Sequence, residues 1–371
     1  MSVPIRVWAR HVPEGAMEQL ESIAAQPYVV EHVAAMPDLH VAHGVAVGTV
    51  FATEDTVVPS ALGGDLGCGM SAVRFDFPAA RLAPSTLRKW LEAVTREIPV
   101  GDATHRGKGV TFHDETPLST SALEHVRKRL GPKHLGTLGG GNHFIELDRD
   151  GGGDLWLLVH SGSRGLGSAI AAHHLRAAEV EGLGSIPGLR RDTEAGRACL
   201  SDLEWALSFA RANRDELMRR TTALVVELTR QEPDQSSHVD VHHNFVRAEE
   251  HFGRRLLVHR KGAISAAVGE RALIPGSMGT ASYLVEGLGS ADSFSSASHG
   301  AGRVMTRREA REQIREDRFA QSMRRVVFDQ RKRGLIEEAP AAYRDIAEVL
   351  EDEADLVVPR VRLEPIAVLK G

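Results

Sequence analysis

The stretch LWLLVHSGSRG, residues 155–165, decides how this chain is read. A short apolar run from Leu155 to Val159 has the length and composition of a buried strand, and it stops at His160 in a turn of serine and glycine. GVAVGTVFAT (44–53) and RLLVHRKGA (255–263) likewise read as buried strands ending in turns. Three more histidines sit in or beside glycine- or serine-rich turns: His143 in GGGNHF, His243 in VHHNF and His299 in SASHGAGR. A glycine next to a histidine removes side-chain bulk, so that backbone and ligand can approach closely. Four such contexts in one chain point to an active site assembled from loops far apart in sequence.

Helical patterns are fewer. Leu87, Leu91, Val94 and Ile98 follow helical spacing after the start signal Pro84-Ser85. The longest helix is expected over 201–231, capped by Ser201, with Leu203, Leu207 and Ala210 opening its apolar stripe. Another is expected from about Thr306 to Arg333, its arginines mixed with Glu309, Glu312, Glu316 and Asp317 as a solvated charged face, with a track for RNA as the alternative reading. A short helix near Ala341–Glu353 precedes the strand-like LVVPRVRL and PIAVLKG. Strand-rich and helical stretches thus follow one another without a regular βα repeat. The expected class is α+β, with residues 1–371 as one domain.

Bulk composition bounds the function. The 371 residues are 42% hydrophobic, enough for a substantial core, and the net charge of -5 excludes a polycation that binds nucleic acid by bulk attraction. Any nucleic-acid contact must use a local patch. The two cysteines, Cys68 and Cys199, do not make a disulfide framework and favour a reducing compartment. The N-terminal MSVPIRVWARHVPEG lacks an apolar leader core, and no apolar run approaches the ~18 residues needed to cross a bilayer. A soluble, cytoplasmic protein without a membrane partner is expected.

Several segments carry chemistry. Asp65 and Cys68 lie three residues apart in ALGGDLGCGM. Alone, that pair reads first as a buried cysteine beside a turn aspartate. Neutral imidazole is the commonest metal ligand, so His143, His160 and His243 at the ends of apolar runs shift the reading toward a metal site. The histidine spacings are too long for a zinc-finger pattern. In SHGAGR, His299 is open to attack a phosphorus atom and Arg303 could grip a phosphate. PGSMGTAS (275–282) offers hydroxyls and amides for a phosphate cradle, and Arg164, Arg260 and Lys261 offer further cationic contacts. GAGRVM lacks the dinucleotide-binding spacing, and no Walker A sequence occurs.

Taken together, MPDLHVAHGVAVG, GGDLGCG, GTLGGGNHFIEL, LVHSGSRGLG, VHHN, VHRKGA, PGSMGTASY, SHGAGRVMTR and the closing VLKG resemble the RtcB-type RNA-splicing ligases, in family order from residue 36 to 371. The resemblance implies GTP and two Mn2+ ions as cofactors. It implies RNA with 3′-phosphate or 2′,3′-cyclic phosphate ends and 5′-hydroxyl ends as substrate, in RNA repair or tRNA splicing, with an accessory activator or release protein as a further partner.

By motif, it implies that Cys68 bridges both metals and that Asp65, His143, His160 and His243 complete their shells. His299 becomes the nucleophile that takes GMP from GTP, with Asp38 as helper. Asn142 contacts a phosphate, Glu146 and Lys370 read the guanine edge, and Tyr343 stacks on the base. Phe144, Ile145, His243, Asn244, Pro275, Gly276, Ser277, Met278, Ser282, Gly300, Ala301 and Gly302 belong to the same nucleotide site. Arg164, Arg260, Lys261 and Arg303 meet RNA phosphates. The chain departs from the family pattern at Gly67, where asparagine is common, and in MPDLHVAHG, where MPDVHPGYG is more usual; both are expected near the entrance.

Overall fold

Two large antiparallel-rich sheets, two small two-stranded ones and a set of helices form the α+β architecture of the described residues. The structure, a computed structural model, describes residues 2–106, 110–329 and 334–371. One sheet has five strands in the spatial order Ile5–Val7, Val29–His40, Val47–Thr53, Arg254–Lys261, Asn244–His251. The other runs Arg271–Ile274, Ser282–Gly287, Val357–Lys370, Phe144–Asp150, Asp154–Ser161, Gly69–Pro78, Pro233–His242, and Val327–Phe328 pairs in parallel with Val357–Lys370 off that path.

Side-chain alternation along the strands explains the layers. Ala34, Met36, Val50, Val258 and Leu256 of the smaller sheet share a core with Ala272, Ile274, Val285 and Val357 of the larger one. A second core lies on the larger sheet, where Val73, Phe75, Ile145, Leu147, Leu157 and Val159 meet the helices. Pro84–Glu97 supplies Leu87, Trp90, Leu91 and Val94, with Pro84 in its first turn. The 36-residue helix Glu194–Thr229 supplies Leu217, Met218 and Val225.

The expected strands are present as Val47–Thr53, Asp154–Ser161 and Arg254–Lys261, while Ala263 opens a separate strand, Ala263–Ser265. The long helix begins earlier than expected. Thr193, not Ser201, is its cap, because the Thr193 hydroxyl accepts the Gly196 N–H.

The helix expected from Thr306 to Arg333 is not continuous. Arg307–Gln313, started by a capping box of Thr306 and Glu309, ends at an extended Ile314; Glu316–Ser322 follows, and then the strand Val327–Phe328. Only Ala310 is buried in the first piece and nothing in the second, so little packing sustains a longer helix. Residues 330–333 of that expectation lie outside the described residues. LVVPRVRL and PIAVLKG merge into one strand, Val357–Lys370, with an irregularity between Pro365 and Ala367.

Candidate active site

Sheet register brings the sequence-distant histidines together. In the larger sheet Met70 pairs with His160, Phe144 pairs with His160, and Gly69 pairs with both Ser161 and His242. Cys68, His143, His160 and His243 therefore converge at one end of four adjacent strands. Cys68 Sγ lies 3.3 Å from His143 Nε2 and 3.3 Å from His160 Nε2. His160 Nε2 is 3.4 Å from His243 Nε2, and His143 Nε2 is 3.0 Å from Asp65 Oδ2.

These atoms form two groups able to hold a cation, Cys68–His160–His243 and Asp65–Cys68–His143, and Cys68 is common to both. The donor chemistry fits. His143 Nδ1 lies 2.9 Å from the Leu138 carbonyl, so Nδ1–H donates there and the Nε2 lone pair faces Cys68 and Asp65. Burial, reinforced by neighbouring positive groups, holds His160 and His243 well below the ordinary imidazole range, which keeps their lone pairs available. Burial and the Asp65 charge push the Cys68 thiol well up. A divalent cation would reverse that and bind the thiolate. Mixed O, N and S donors do not by themselves select manganese.

His299 stands beside this cluster, its ring centroid 4.8 Å from that of His243. Asp38, fully buried in the strand Val29–His40, accepts the His299 backbone N–H at 3.1 Å, and its Oδ2 lies 2.5 Å from His299 Nδ1. The preceding residue is held in the same way: the buried Glu353 accepts the Ser298 N–H at 2.8 Å and the Ser298 hydroxyl at 2.6 Å. Gly302 has φ +71°, and a Cβ there would stand 2.6 Å from the Asp38 carbonyl oxygen. Its smallness thus serves the approach of the Asp38 strand.

Two cavities flank His299 and share it with His40 and Asn142. The first, of about 200 Å³, is lined by Asn142, Phe144, Glu146, Pro275, Gly276, Ser277, Met278, Ser282, Gly300, Ala301, Gly302, Arg303, Tyr343 and Lys370. The second, of about 520 Å³, takes in Asp65, Cys68, His243, Asn244 and Lys261. Around the first, Lys370 Nζ contacts the Asn142 carbonyl at 3.0 Å and Glu338 at 3.2 Å, and the Tyr343 hydroxyl donates to Glu338 at 2.5 Å.

Ile145 departs from the expected placement. Strand alternation turns it to the opposite face, into the apolar core with Leu147 and Val159. Arg260 and Lys261 separate for the same reason. The Arg260 guanidinium is fully buried, engaged by Glu249 at 2.6 Å, Ser296 at 2.8 Å and the Phe294 carbonyl, so it is not presented to a phosphate. Lys261 faces the second cavity with Nζ on the His43 and Ser60 carbonyls, and burial lowers its ammonium to about 8.

Arg303 lies over the Tyr343 ring, with its N–H groups on Glu338, the Tyr343 hydroxyl and the Met305 and Glu337 carbonyls. It therefore braces the cavity wall. Arg164 stays close to the cluster, Nη1 3.3 Å from His143 Nδ1.

Of the two family departures, Gly67 is not at an entrance: it packs against Leu207 and Ala210 of the long helix. In MPDLHVAHG, Met36, Asp38 and Leu39 are buried beneath His299, whereas Val41 and His43 are exposed and His40, Ala42 and His43 line the second cavity.

Sequence reasoning missed His40 and Arg307, which line the first cavity, and Arg214. Arg214 is fully buried, paired with Asp240 through two 2.7 Å bonds, and donates to the carbonyls of Gly67 and Ser161, the neighbours of Cys68 and His160. Nothing in its local sequence signals this. It lies within the helical run, and its partner is 26 residues away.

The fold and the site define a loop-built centre in which two donor groups able to hold a metal ion share one sulfur, with a separate histidine between two cavities. The comparisons agree. A family model described as tRNA-splicing ligase RtcB matches residues 19–129 and 111–371. The chain is 36% identical over its whole length to RNA-splicing ligase RtcB1 of Escherichia coli strain ATCC 25922, covering 98% of that protein. It is 28% identical to tRNA-splicing ligase RtcB of Thermococcus kodakarensis, covering 95% of it, and 30% identical to RNA-splicing ligase RtcB of Mycobacterium tuberculosis, with 95% of this chain aligned to the whole of that protein. The chain belongs to the RtcB family.

Proposed function

We propose that this chain, acting as one catalytic unit, is an RNA ligase that joins 3′-phosphate or 2′,3′-cyclic phosphate ends to 5′-hydroxyl ends, using GTP. The observation that carries this reading is the position of His299. It lines both cavities, it touches the cluster through His243, and Asp38 engages its Nδ1 side. Family membership and the names of the relatives support the ligase class.

GTP occupies the first cavity. Glu146 and Lys370 meet the base edge, Tyr343 and Phe144 give it apolar surface, and the amides and hydroxyls of the loop around Ser277 receive phosphate oxygens. Asp38 holds the proton on His299 Nδ1, which leaves Nε2 as the nucleophile. Nε2 forms a bond to the α-phosphorus as the bond to pyrophosphate breaks. An RNA 3′-phosphate oxygen, brought through the second cavity past Lys261 and Asn244, then takes the GMP from His299. The 5′-hydroxyl oxygen attacks the activated 3′-phosphate, its proton leaves, and GMP departs. A cyclic phosphate end is first opened by water.

Asp65, Cys68, His143, His160 and His243 would hold two divalent cations, Mn2+ in this reading. Bound there, such ions neutralise phosphate charge and favour in-line displacement.

The test is incubation with Mn2+ and GTP labelled at the α-phosphorus. Covalent, acid-labile label is expected on the wild-type chain and none on His299→Ala. Full labelling of that variant would overturn the nucleophile assignment. Opening of cyclic phosphates without GTP or any adduct would replace the ligase with a phosphoesterase.

A further inference from the structure

The segment that carries His299 is tied down on both sides of the histidine. The His299 backbone N–H donates to Asp38 at 3.1 Å, and the Ala301 N–H donates to the Pro275 carbonyl at 3.0 Å. Ser298, just before the histidine, places its N–H on Glu353 Oε2 at 2.8 Å and its hydroxyl on Glu353 Oε1 at 2.6 Å. Ser298 ends the short strand Ser296–Ser298, opposite Ala263, whose own N–H donates to the His243 carbonyl at 3.1 Å.

Glu353 directly follows the short helix Ile346–Asp352 and has no exposed surface. The chain on both sides of its contact with Ser298 is apolar core: Ile346, Val349, Leu350 and Leu356 share one cluster with Ala297 and Ala301. Among the described residues no lysine, arginine or histidine bonds the Glu353 carboxyl, and Ser298 is its hydrogen-bonding partner. Burying a carboxyl is costly unless its oxygens are engaged, and here both engage one residue. Burial pushes this carboxyl up to about 8, and the contact serves either form. Oε2 accepts the amide N–H in both, while Oε1 takes the serine proton when charged and gives its own when neutral. Glu353 is itself fixed. Its carbonyl accepts the Leu356 N–H at 2.8 Å, and its neighbours are pinned to the N-terminal segment, Asp352 by Arg10 at 2.8 Å and Asp355 by Trp8 at 3.1 Å.

We infer that Glu353 is a positioning residue: through Ser298 it holds His299 in the orientation from which Nε2 attacks phosphorus. Peptide groups are planar, so ties at the Ser298 and His299 N–H groups fix the two successive planes that set the place of the His299 side chain. Formation of the bond between His299 and GMP therefore depends on Glu353, and sealing of an RNA end that already carries GMP does not. The inference rests on the assignment of His299 as the nucleophile.

The experiment makes three measurements on the full chain with Mn2+ present. They are the rate of adduct formation at saturating GTP labelled at the α-phosphorus, equilibrium binding of GMP, and sealing of an RNA whose 3′-phosphate already carries GMP. In that sealing reaction the 5′-hydroxyl oxygen bonds to the 3′-phosphorus, its proton leaves and GMP departs, with no bond to His299. Glu353→Leu keeps the bulk and removes both contacts. It is expected to slow adduct formation about 10–100-fold while GMP binding and sealing stay within about twofold of the wild type. Glu353→Gln keeps an acceptor for the N–H and a donor for the hydroxyl, and is expected to recover most of the rate. Ser298→Ala removes one of the two contacts and is expected to slow adduct formation about three- to tenfold.

An unchanged rate of adduct formation in Glu353→Leu overturns the proposal. So does a glutamine variant as slow as the leucine one, or a leucine variant in which GMP binding or sealing falls as far as adduct formation, because a general loosening of the fold does the same. If the leucine variant does not fold, Ser298→Ala decides, and an unchanged rate there overturns the proposal. Absence of label on His299 in the wild type overturns the nucleophile assignment instead.

Discussion

Arg214→Leu probes the buried frame of the centre. The Arg214 guanidinium is fully buried and makes two 2.7 Å bonds to Asp240, whose side chain is 5% exposed. Removing one member of such a pair leaves an uncompensated buried charge and costs about 3–5 kcal/mol. With an unfolding entropy of about 2.1 cal/mol/K per residue, a chain of this length gains roughly 0.8 kcal/mol/K on unfolding, so Tm should fall by about 4–6 °C. Arg214 also holds the Gly67 and Ser161 carbonyls, each next to a proposed ligand. The rise in Tm on adding Mn2+ should therefore shrink as well.

The assay is thermal unfolding with and without Mn2+, alongside the double variant Arg214→Leu/Asp240→Leu. Replacing both charges by apolar groups should recover most of the lost Tm, because no charge is left stranded. A fall below about 1 °C in the single variant, or a double variant as unstable as the single one, would refute the reasoning.

Cys68 belongs to both ligand groups, so Cys68→Ser should abolish the thiolate–cobalt absorption band and reduce Co2+ binding at both sites, whereas His160→Asn should affect one; titration followed by absorbance distinguishes the two. His259 is buried and neutral, accepting the Val58 N–H at Nε2 and donating from Nδ1 to the Leu257 carbonyl, and burial lowers it to about 3. Its folded value is depressed, so its contribution is present above about pH 6.5 and lost as pH falls toward 3, at up to ~1.4 kcal/mol per pH unit. Urea denaturation across that window should show a slope shallower by about one proton in His259→Gln. At Gly67, φ is +68° and a Cβ would stand 2.9 Å from that of Ala210, so Gly67→Asn should lose about 1–3 kcal/mol and weaken metal binding, measured by unfolding and Co2+ titration.

Local sequence carried much of this centre. A strand ending in a histidine beside glycine is a statement about backbone geometry over a few residues. That is why His143, His160, His243 and His299 were legible as candidates before any distance was known. The same locality explains the misplacements. Arg260 and Lys261 are adjacent cations, but a strand sends neighbours to opposite faces, and Arg260 ends on Glu249. Ile145 shares a motif with its neighbours and still points into the core. The helix expected across 306–333 had charge pairs at helical spacing but no buried face to sustain it.

By itself, then, the sequence determined the α+β class, the strand-and-turn character of the ligand-bearing segments and the residue types available for chemistry, because those depend on short-range conformation and composition. Tertiary structure alone decided which donors share a centre. Register between four strands makes Cys68 common to two groups, and Asp240 needs Arg214 from the long helix. Those outcomes depend on long-range packing, which no window along the chain contains.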